Sequence, residues 1–333
     1  SPEGPSDSPK KTNPIRFKFN YYMIHLNNIK SALIVSFLFV TVLCHAQLSE
    51  AHYRIYSVKL GKEVTLNEIT ADMDQHNVLF FGEEHNDSVT HFLEQKMLEL
   101  LYARYPQKLA LSMEMFDRDV QAVMNEYLQG SIRERHFLKD ARVWSNYKDY
   151  KPMVEFAKTN KLPIVCANAA GRYSNLAGRK GQKALMDLPA ASKLFFAPLP
   201  YDTASGAYYD KLMGLSGHSN TPDTAKKKMP VMSMGGFSLV TAQSLWDATM
   251  AYSIAEHLKQ NKGQKVMQVN GRFHSDERFA AVTQLKKYRP KAVALVVSCG
   301  SDAAFPNIDW KQYLSLGDYI IITDPAVPKT YKD

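Results

Sequence analysis

One repeated form constrains this chain most: a short apolar run, a polar or glycine corner, then a stretch with helical spacing. Val78–Phe81 runs into Gly82-Glu83-Glu84-His85, and helical spacing follows from Val89 to Tyr105 through Phe92, Leu93, Met97, Leu100 and Leu101. Lys108–Met113 ends at Glu114 ahead of Val120–Leu128, and Leu162–Ala167 ends at Asn168. Lys265–Asn270 runs into Gly271-Arg272-Phe273-His274 and then Ala280–Tyr288, while Ala292–Val297 and Tyr319–Thr323 are further runs of the same kind. A strand that is apolar on both faces must be covered on both faces, and alternating helices supply the cover. The pattern therefore predicts an α/β fold with a mainly parallel sheet flanked by helices.

Two regions break the rhythm. Tyr53–Leu60 with Gly61–Thr65 predicts an amino-terminal hairpin or edge strand. Residues 175–250 have helical stretches and a polar excursion, Gly214–Met229, with no strand pattern. Together with the helices of 118–160 they predict a smaller helical subdomain over the carboxyl edge of the sheet, with His218 in a solvated loop.

Residues 31–43 are an apolar run, preceded by Lys30 and followed by Cys44-His45-Ala46-Gln47. A positive flank, a short apolar core and a small residue at the cut describe a secretory signal peptide. The run is shorter than the roughly 20 residues of a membrane-crossing helix. Met23 reads as a start of translation. The expected organisation is then upstream sequence over 1–22, a signal peptide over 23–46 cut after Ala46, and a single domain over 47–333. The protein is expected to be exported, periplasmic or outer-membrane associated. Cys44 opens a second reading, a lipid anchor, although Leu43 stands where a lipoprotein cut takes Ala, Gly or Ser. Membrane association is expected only on that reading.

The formal net charge of +8 is shared between leader and body, and no dense basic face interleaved with aromatics is visible. Nucleic-acid binding is therefore not expected, while an anionic small ligand fits the balance. Cys166 and Cys299 sit in apolar runs and are expected as buried free thiols in preference to a disulfide. The lack of Cys-x-x-Cys argues against a thiolate zinc or iron–sulfur site.

In an open parallel sheet, ligands bind outside the carboxyl ends of the strands. His85, Glu114, Asn168 and His274 each follow a strand, so they are expected to converge on one edge. Gly82 and Gly271 read as residues that let the chain turn sharply, each placing its His near a helix amino terminus where neutral imidazole is favoured. Two His and one carboxylate form an open metal site. Without metal, His and Glu can still activate water. His85, Glu114 and His274 are thus both the catalytic and the metal candidates, against the plainer reading of hydrogen-bonded structural residues. His91 is a weaker candidate, because an ideal helix turns it away. Asp247 sits on an apolar helix, where pairing with an Arg, capping a corner and joining the site are all open. Asn168 is expected to fix a turn, and Met213, Met229, Met232, Met234 and Met250 to fill core. No His-Glu-x-x-His, Gly-x-Ser-x-Gly, phosphate loop or dinucleotide fingerprint occurs, which leaves a serine hydrolase or nucleotide enzyme unsupported.

With these residues in hand, the chain resembles the ChaN-like haem-binding family, in the wider superfamily of the TIKI proteases and the erythromycin esterases. The similarity covers about residues 65–325. It rests on Phe81-Gly82-Glu83-Glu84-His85, Met113-Glu114-Met115-Phe116, Asn146-Tyr147 through Tyr150 and Pro152, and Ala167-Asn168. It rests also on Ala242-Gln243 with Asp247 and Met250-Ala251, and on Asn270-Gly271-Arg272-Phe273-His274. Thr90 stands where relatives often carry a second His. The resemblance implies export, often as a lipoprotein, and haem or iron acquisition, with haem bound through a tyrosine at a homodimer interface. That tyrosine is not placed by any motif; Tyr201, Tyr208 and Tyr209 in the helical part are the candidates, since phenolate suits ferric haem iron. In related hydrolases the two Gly-x-x-His motifs and the strand-end Glu carry catalysis, with metal in the proteases, and these roles fall on His85, His274 and Glu114. Two functions follow. One is an exported haem- or iron-binding protein that takes haem or another small molecule. The other is a hydrolase of peptide or ester bonds, using a divalent metal or activated water. A haem site is expected in the helical part or at a dimer interface, away from the corners.

Overall fold

The computed structural model describes residues 48–215, 233–234 and 237–331. The leader, Cys44, His218, Met229 and Met232 lie outside the described residues. No helix among the described residues is long and apolar enough to cross a membrane.

An eight-stranded sheet organises the chain. Strand β1 (Tyr53–Ser57) pairs antiparallel with β2 (Lys62–Val64), the hairpin read from the sequence. The parallel strands are β3 (Val78–Glu83), β4 (Leu109–Asp117), β5 (Ile164–Asn168), β8 (Lys265–Gly271), β9 (Ala294–Ser301) and β10 (Tyr319–Thr323). Two-residue strands β6 (Ser233–Met234) and β7 (Phe237–Ser238) form a separate antiparallel pair. Across the main sheet the order is β2-β1-β10-β9-β3-β8-β4-β5, and β1 joins β10 antiparallel with Tyr53 opposite Thr323.

Alternation along β3 sorts the two faces. Leu79 and Phe81 enter a core with Leu93, Met97 and Leu101 of helix α2 (Ser88–Arg104). That core also holds Met124 of α3 (Gln121–Leu128), Phe137 of α4 (Glu134–Asp140) and Tyr150 and Met153 of α5 (Tyr147–Thr159). Val78 and Phe80 face the other way. They meet Met250 and Ile254 of α9 (Leu239–Gln260) and Ala281 and Leu285 of α10 (Ala280–Tyr288). Between these lie α6 (Gly171–Lys180), α7 (Ala190–Lys193) and α8 (Gly206–Leu215). Tyr173 and Ala177 of α6 share a third core with Phe196, Tyr201, and Leu245 and Ala248 of α9. A short helix, α1 (Leu66–Asp72), precedes β3. Cys166 and Cys299 are buried free thiols, as expected.

The connections place the site. From β3 the chain crosses over β8 to β4 through α2 on one face; from β8 it crosses back over β3 to β9 through α10 on the other. The two paths diverge between β3 and β8, and a crevice at such a switch point is where open α/β sheets bind ligands. Parallel pairing sets Glu83 level with Gly271, and Met113 of β4 level with Val269. Three adjacent strands thus deliver Glu83, Gly271 and Glu114 to one edge.

Two local details differ from the sequence reading. Glu114 does not end its strand: β4 continues to Asp117, because Met115 and Phe116 are themselves buried, and the register with β5 shifts between Met113 and Asp117. Gly82 and Gly271 are also not sharp-turn glycines. Gly271 has φ −52° and ψ 130°, which any residue can adopt. Both are needed for close approach. A Cβ on Gly271 would lie 2.7 Å from His85 Nε2, and one on Gly82 would lie 2.9 Å from Arg272 Cα.

Candidate functional site

Each histidine corner is pinned by its own hydrogen bonds. Asp87 caps α2, its Oδ1 accepting from the Val89 and Thr90 amides and its Oδ2 from Thr323 Oγ1 and Lys329 Nζ. This fixes the segment carrying His85 to the last strand. At the second corner Asn270 Nδ2 donates to the Gly271 carbonyl and to Ser275 Oγ.

His85, Glu114 and His274 meet as the sequence predicts. Glu114 is central: its Oε2 accepts from the Gly271 amide at 2.7 Å, and its Oε1 lies 3.3 Å from His274 Nε2. The spot above Gly271 is bounded by His85 Nε2 and, at 3.7 Å, by Glu114 Oε2. Both imidazoles present Nε2 to this centre because both Nδ1 atoms are engaged behind it. His85 Nδ1 is 2.7 Å from Glu83 Oε1, and His274 Nδ1 is 2.5 Å from Asp247 Oδ1. A tyrosine completes each line: Tyr150 donates to Glu83 Oε1 at 2.7 Å and Tyr208 donates to Asp247 Oδ2 at 2.6 Å. Access is from the His85 side, whose side chain is 36% exposed against 7% for His274 and Glu114.

The carboxylates decide the charges. Burial pulls the His274 imidazole toward the neutral form, but Glu114 and Asp247 outweigh it and push its pKa up to about 10. Burial opposes the charged form of His85 too, and again Glu83 and Glu114 prevail, raising it. Burial would raise Glu114; His274 and His85 hold it below its usual range instead. Asp247 is raised by burial, with His274 opposing. Both shifts run against the expected neutral imidazoles: ion pairing inside the site exceeds any helix-terminus effect. His274 is moreover in a three-residue turn and not at the start of an α-helix.

The residues present fit a metal ion of the kind the resemblance implies. Two Nε2 atoms and a carboxylate converge, and each His is held through Nδ1 by a carboxylate, which orients the ring and raises the basicity of the other nitrogen. Gln243 Nε2 lies 3.3 and 3.2 Å from the two ring nitrogens of His274, so it is committed to neither.

A family model described as "Haem-binding uptake, Tiki superfamily, ChaN" matches residues 69–285, which spans both corners and Glu114. The chain belongs to this haem-binding uptake family. Among solved structures, the ChaN of Campylobacter jejuni, described with cofacial haem binding, is 15% identical with TM-score 0.61. The match covers 84% of this chain and 100% of that one. At that identity the likeness establishes the fold. The type III effector HopBA1 is 12% identical with TM-score 0.40, covering 78% of this chain and 93% of its own. The RRSP effector domain of Vibrio vulnificus CMCP6 is 16% identical with TM-score 0.32, covering 64% and 31%. Both superpose too loosely to carry an argument. No curated protein matches.

Within this family member, the tyrosine candidates separate. Tyr201 is 2% exposed and donates to the Thr241 carbonyl, and Tyr208 is engaged with Asp247; burial raises both phenols. Tyr209 is half-buried on α8, beside the cluster of Tyr208 and Leu212. Asn168 accepts from the Ala169 amide at 2.9 Å, in keeping with a turn role, and Met250 is core. Sequence reasoning undervalued four residues. Asp247 backs His274. Glu83 backs His85, and its place two residues before that His was the available signal. Asn146 and Tyr150, present in the resemblance motifs, respectively donate to the His85 carbonyl and to Glu83. His91 does not turn away: its Nε2 is 3.1 Å from the His85 carbonyl.

Proposed function

We propose that this protein binds haem and serves haem or iron acquisition as an exported protein, periplasmic or outer-membrane associated. The observation that carries the reading is family membership across residues 69–285. The polar groups of the corner site are engaged in their own ion pairs, which supports haem binding elsewhere, in the helical part and across a homodimer. Of the three tyrosines, Tyr201 and Tyr208 donate to buried acceptors while Tyr209 is only half-buried on α8, and we take Tyr209 as the iron ligand. Titration of the full chain with haemin tests this. A Soret shift saturating at about one haem per chain, weakened in Tyr209→Phe, is the expected result. An unchanged spectrum at micromolar haemin overturns the carrier reading.

A second reading concerns the corners, favoured by the convergence of His85, Glu114 and His274. A divalent ion there would be held by both Nε2 atoms and Glu114, and would supply Lewis acidity toward a peptide or ester carbonyl. Without it, Glu114 is the base and His274, charged at neutral pH, is the acid. Hydrolysis of a panel of peptides and esters, lost in His274→Ala with folding intact, is its test. No turnover by the metal-loaded protein overturns it.

A further inference from the structure

Behind His85 lies a cluster in which Glu83, whose Oε1 backs that histidine, meets two residues that neither reading uses, His91 and Glu94. Glu83, His91 and Glu94 each offer a ligand atom within 4.8 Å of the others, and they are 1%, 7% and 0% exposed. The His91 ring is set by Nε2, 3.1 Å from the His85 carbonyl. A carbonyl only accepts, so the proton belongs on Nε2, and Asp149 Oδ2 at 4.0 Å adds negative charge on the same side. Nδ1 then faces Glu83 Oε2 at 3.1 Å and Glu94 Oε2 at 3.2 Å. A lone pair facing two carboxylate oxygens is repulsive, so a positive species must lie between them.

A proton answers this only in part. One N–H aims at one acceptor, and it aligns with Glu94 Oε2. Glu83 Oε2 and Glu94 Oε1 are left buried with no hydrogen-bond partner among the described residues. Unmet buried acceptors of this kind are uncommon in folded proteins.

We propose that Glu83, His91 through Nδ1 and Glu94 hold a divalent transition-metal ion, zinc or ferrous iron, as a buried structural centre. The donor set of one imidazole and two carboxylates suits such ions. Tetrahedral bonds of about 2.0–2.1 Å put ligand atoms about 3.3 Å apart, close to the 3.1 and 3.2 Å seen here. The carbonyl on Nε2 is the outer support that a metal-bound His takes. Glu83 would then bridge this centre to His85, one oxygen to each.

The test is independent of haem and of the corner site. The full chain is loaded with zinc and crystallised, and anomalous scattering is collected at the zinc edge. The expected peak lies about 2.0–2.1 Å from His91 Nδ1. A peak only among His85, Glu114 and His274, or none, overturns the proposal. In parallel, metal content after exhaustive dialysis is compared for wild type, Glu94→Gln and His274→Ala, with circular dichroism to confirm folding. Glu94→Gln should lower zinc affinity by roughly 100-fold or more, while His274→Ala keeps the buried equivalent. Wild-type zinc content in a folded Glu94→Gln protein overturns it. Should Glu94→Gln fail to fold, the diffraction result decides.

Discussion

The two histidine corners share a motif and a finished arrangement, yet they are built differently. Tyr150, Glu83 and His85 form one line; Tyr208, Asp247 and His274 form the other. In the first, the carboxylate comes from the same strand, two residues before the histidine. In the second it comes from α9, 27 residues before the histidine. The first corner is also half open and the second is sealed. A short motif therefore places an imidazole but does not say what will stand behind it. The surrounding fold supplies the partner, and nearly the same geometry results from unlike sources.

The comparison is broken most sharply by removing the backing carboxylates. Glu83→Ala strands two histidines and Tyr150, and should cost about 3–5 kcal/mol by denaturant unfolding. Asp247→Ala strands one histidine and Tyr208 and should cost less. The opposite order would mean that the sealed corner, and not the open one, anchors the edge.

Alkali sharpens the same contrast. His274 has its pKa raised from 6.5 to about 10, so its contribution to stability is complete below pH 6.5 and is lost as pH rises through about 10. The denaturant midpoint should fall across that window, and fall less in Asp247→Asn. Equal slopes in the two proteins would show that Asp247 does not hold the proton on His274. Metal at the corners would respond in the opposite sense, binding more tightly as that proton leaves.

The glycines give the next effect. A Cβ at position 82 would meet the Arg272 backbone, whereas at 271 it would meet the far end of an imidazole that can swing outward. Gly82→Ala should cost about 1–3 kcal/mol. Gly271→Ala should cost less but move His85, which its NMR ring shifts would report. Smallest are Tyr150→Phe and Tyr208→Phe, about 1 kcal/mol each. A clear inequality between them would mark one line as the stronger.

Much of this was legible in the residues. The strands from Val78, Lys265 and Tyr319 and the helix from Ala280 to Tyr288 were visible because an apolar run closed by a corner has few alternatives. His85, Glu114 and His274 were visible because strand ends in a parallel sheet converge. What stayed hidden depended on contacts distant in sequence. Asp247 read as an isolated acid on an apolar helix until α9 was laid against β8. His91 was discounted by ideal helix geometry, although its partner Glu83 lies below the helix and not along it. The end of β4 was misplaced because Glu114 interrupts an apolar run whose backbone continues.

The pairing of β1 with β10 has a consequence for the order of events in folding. Tyr53 must find Thr323, so β1 has to wait for β10, some 270 residues later in the chain. Asp87 waits as well, since the threonine that anchors it belongs to β10. A chain emerging from the ribosome can collapse its middle early, but it cannot close this edge or steady the His85 corner until β10 has been made. Truncation beyond residue 318 should therefore cost the site before it costs the core.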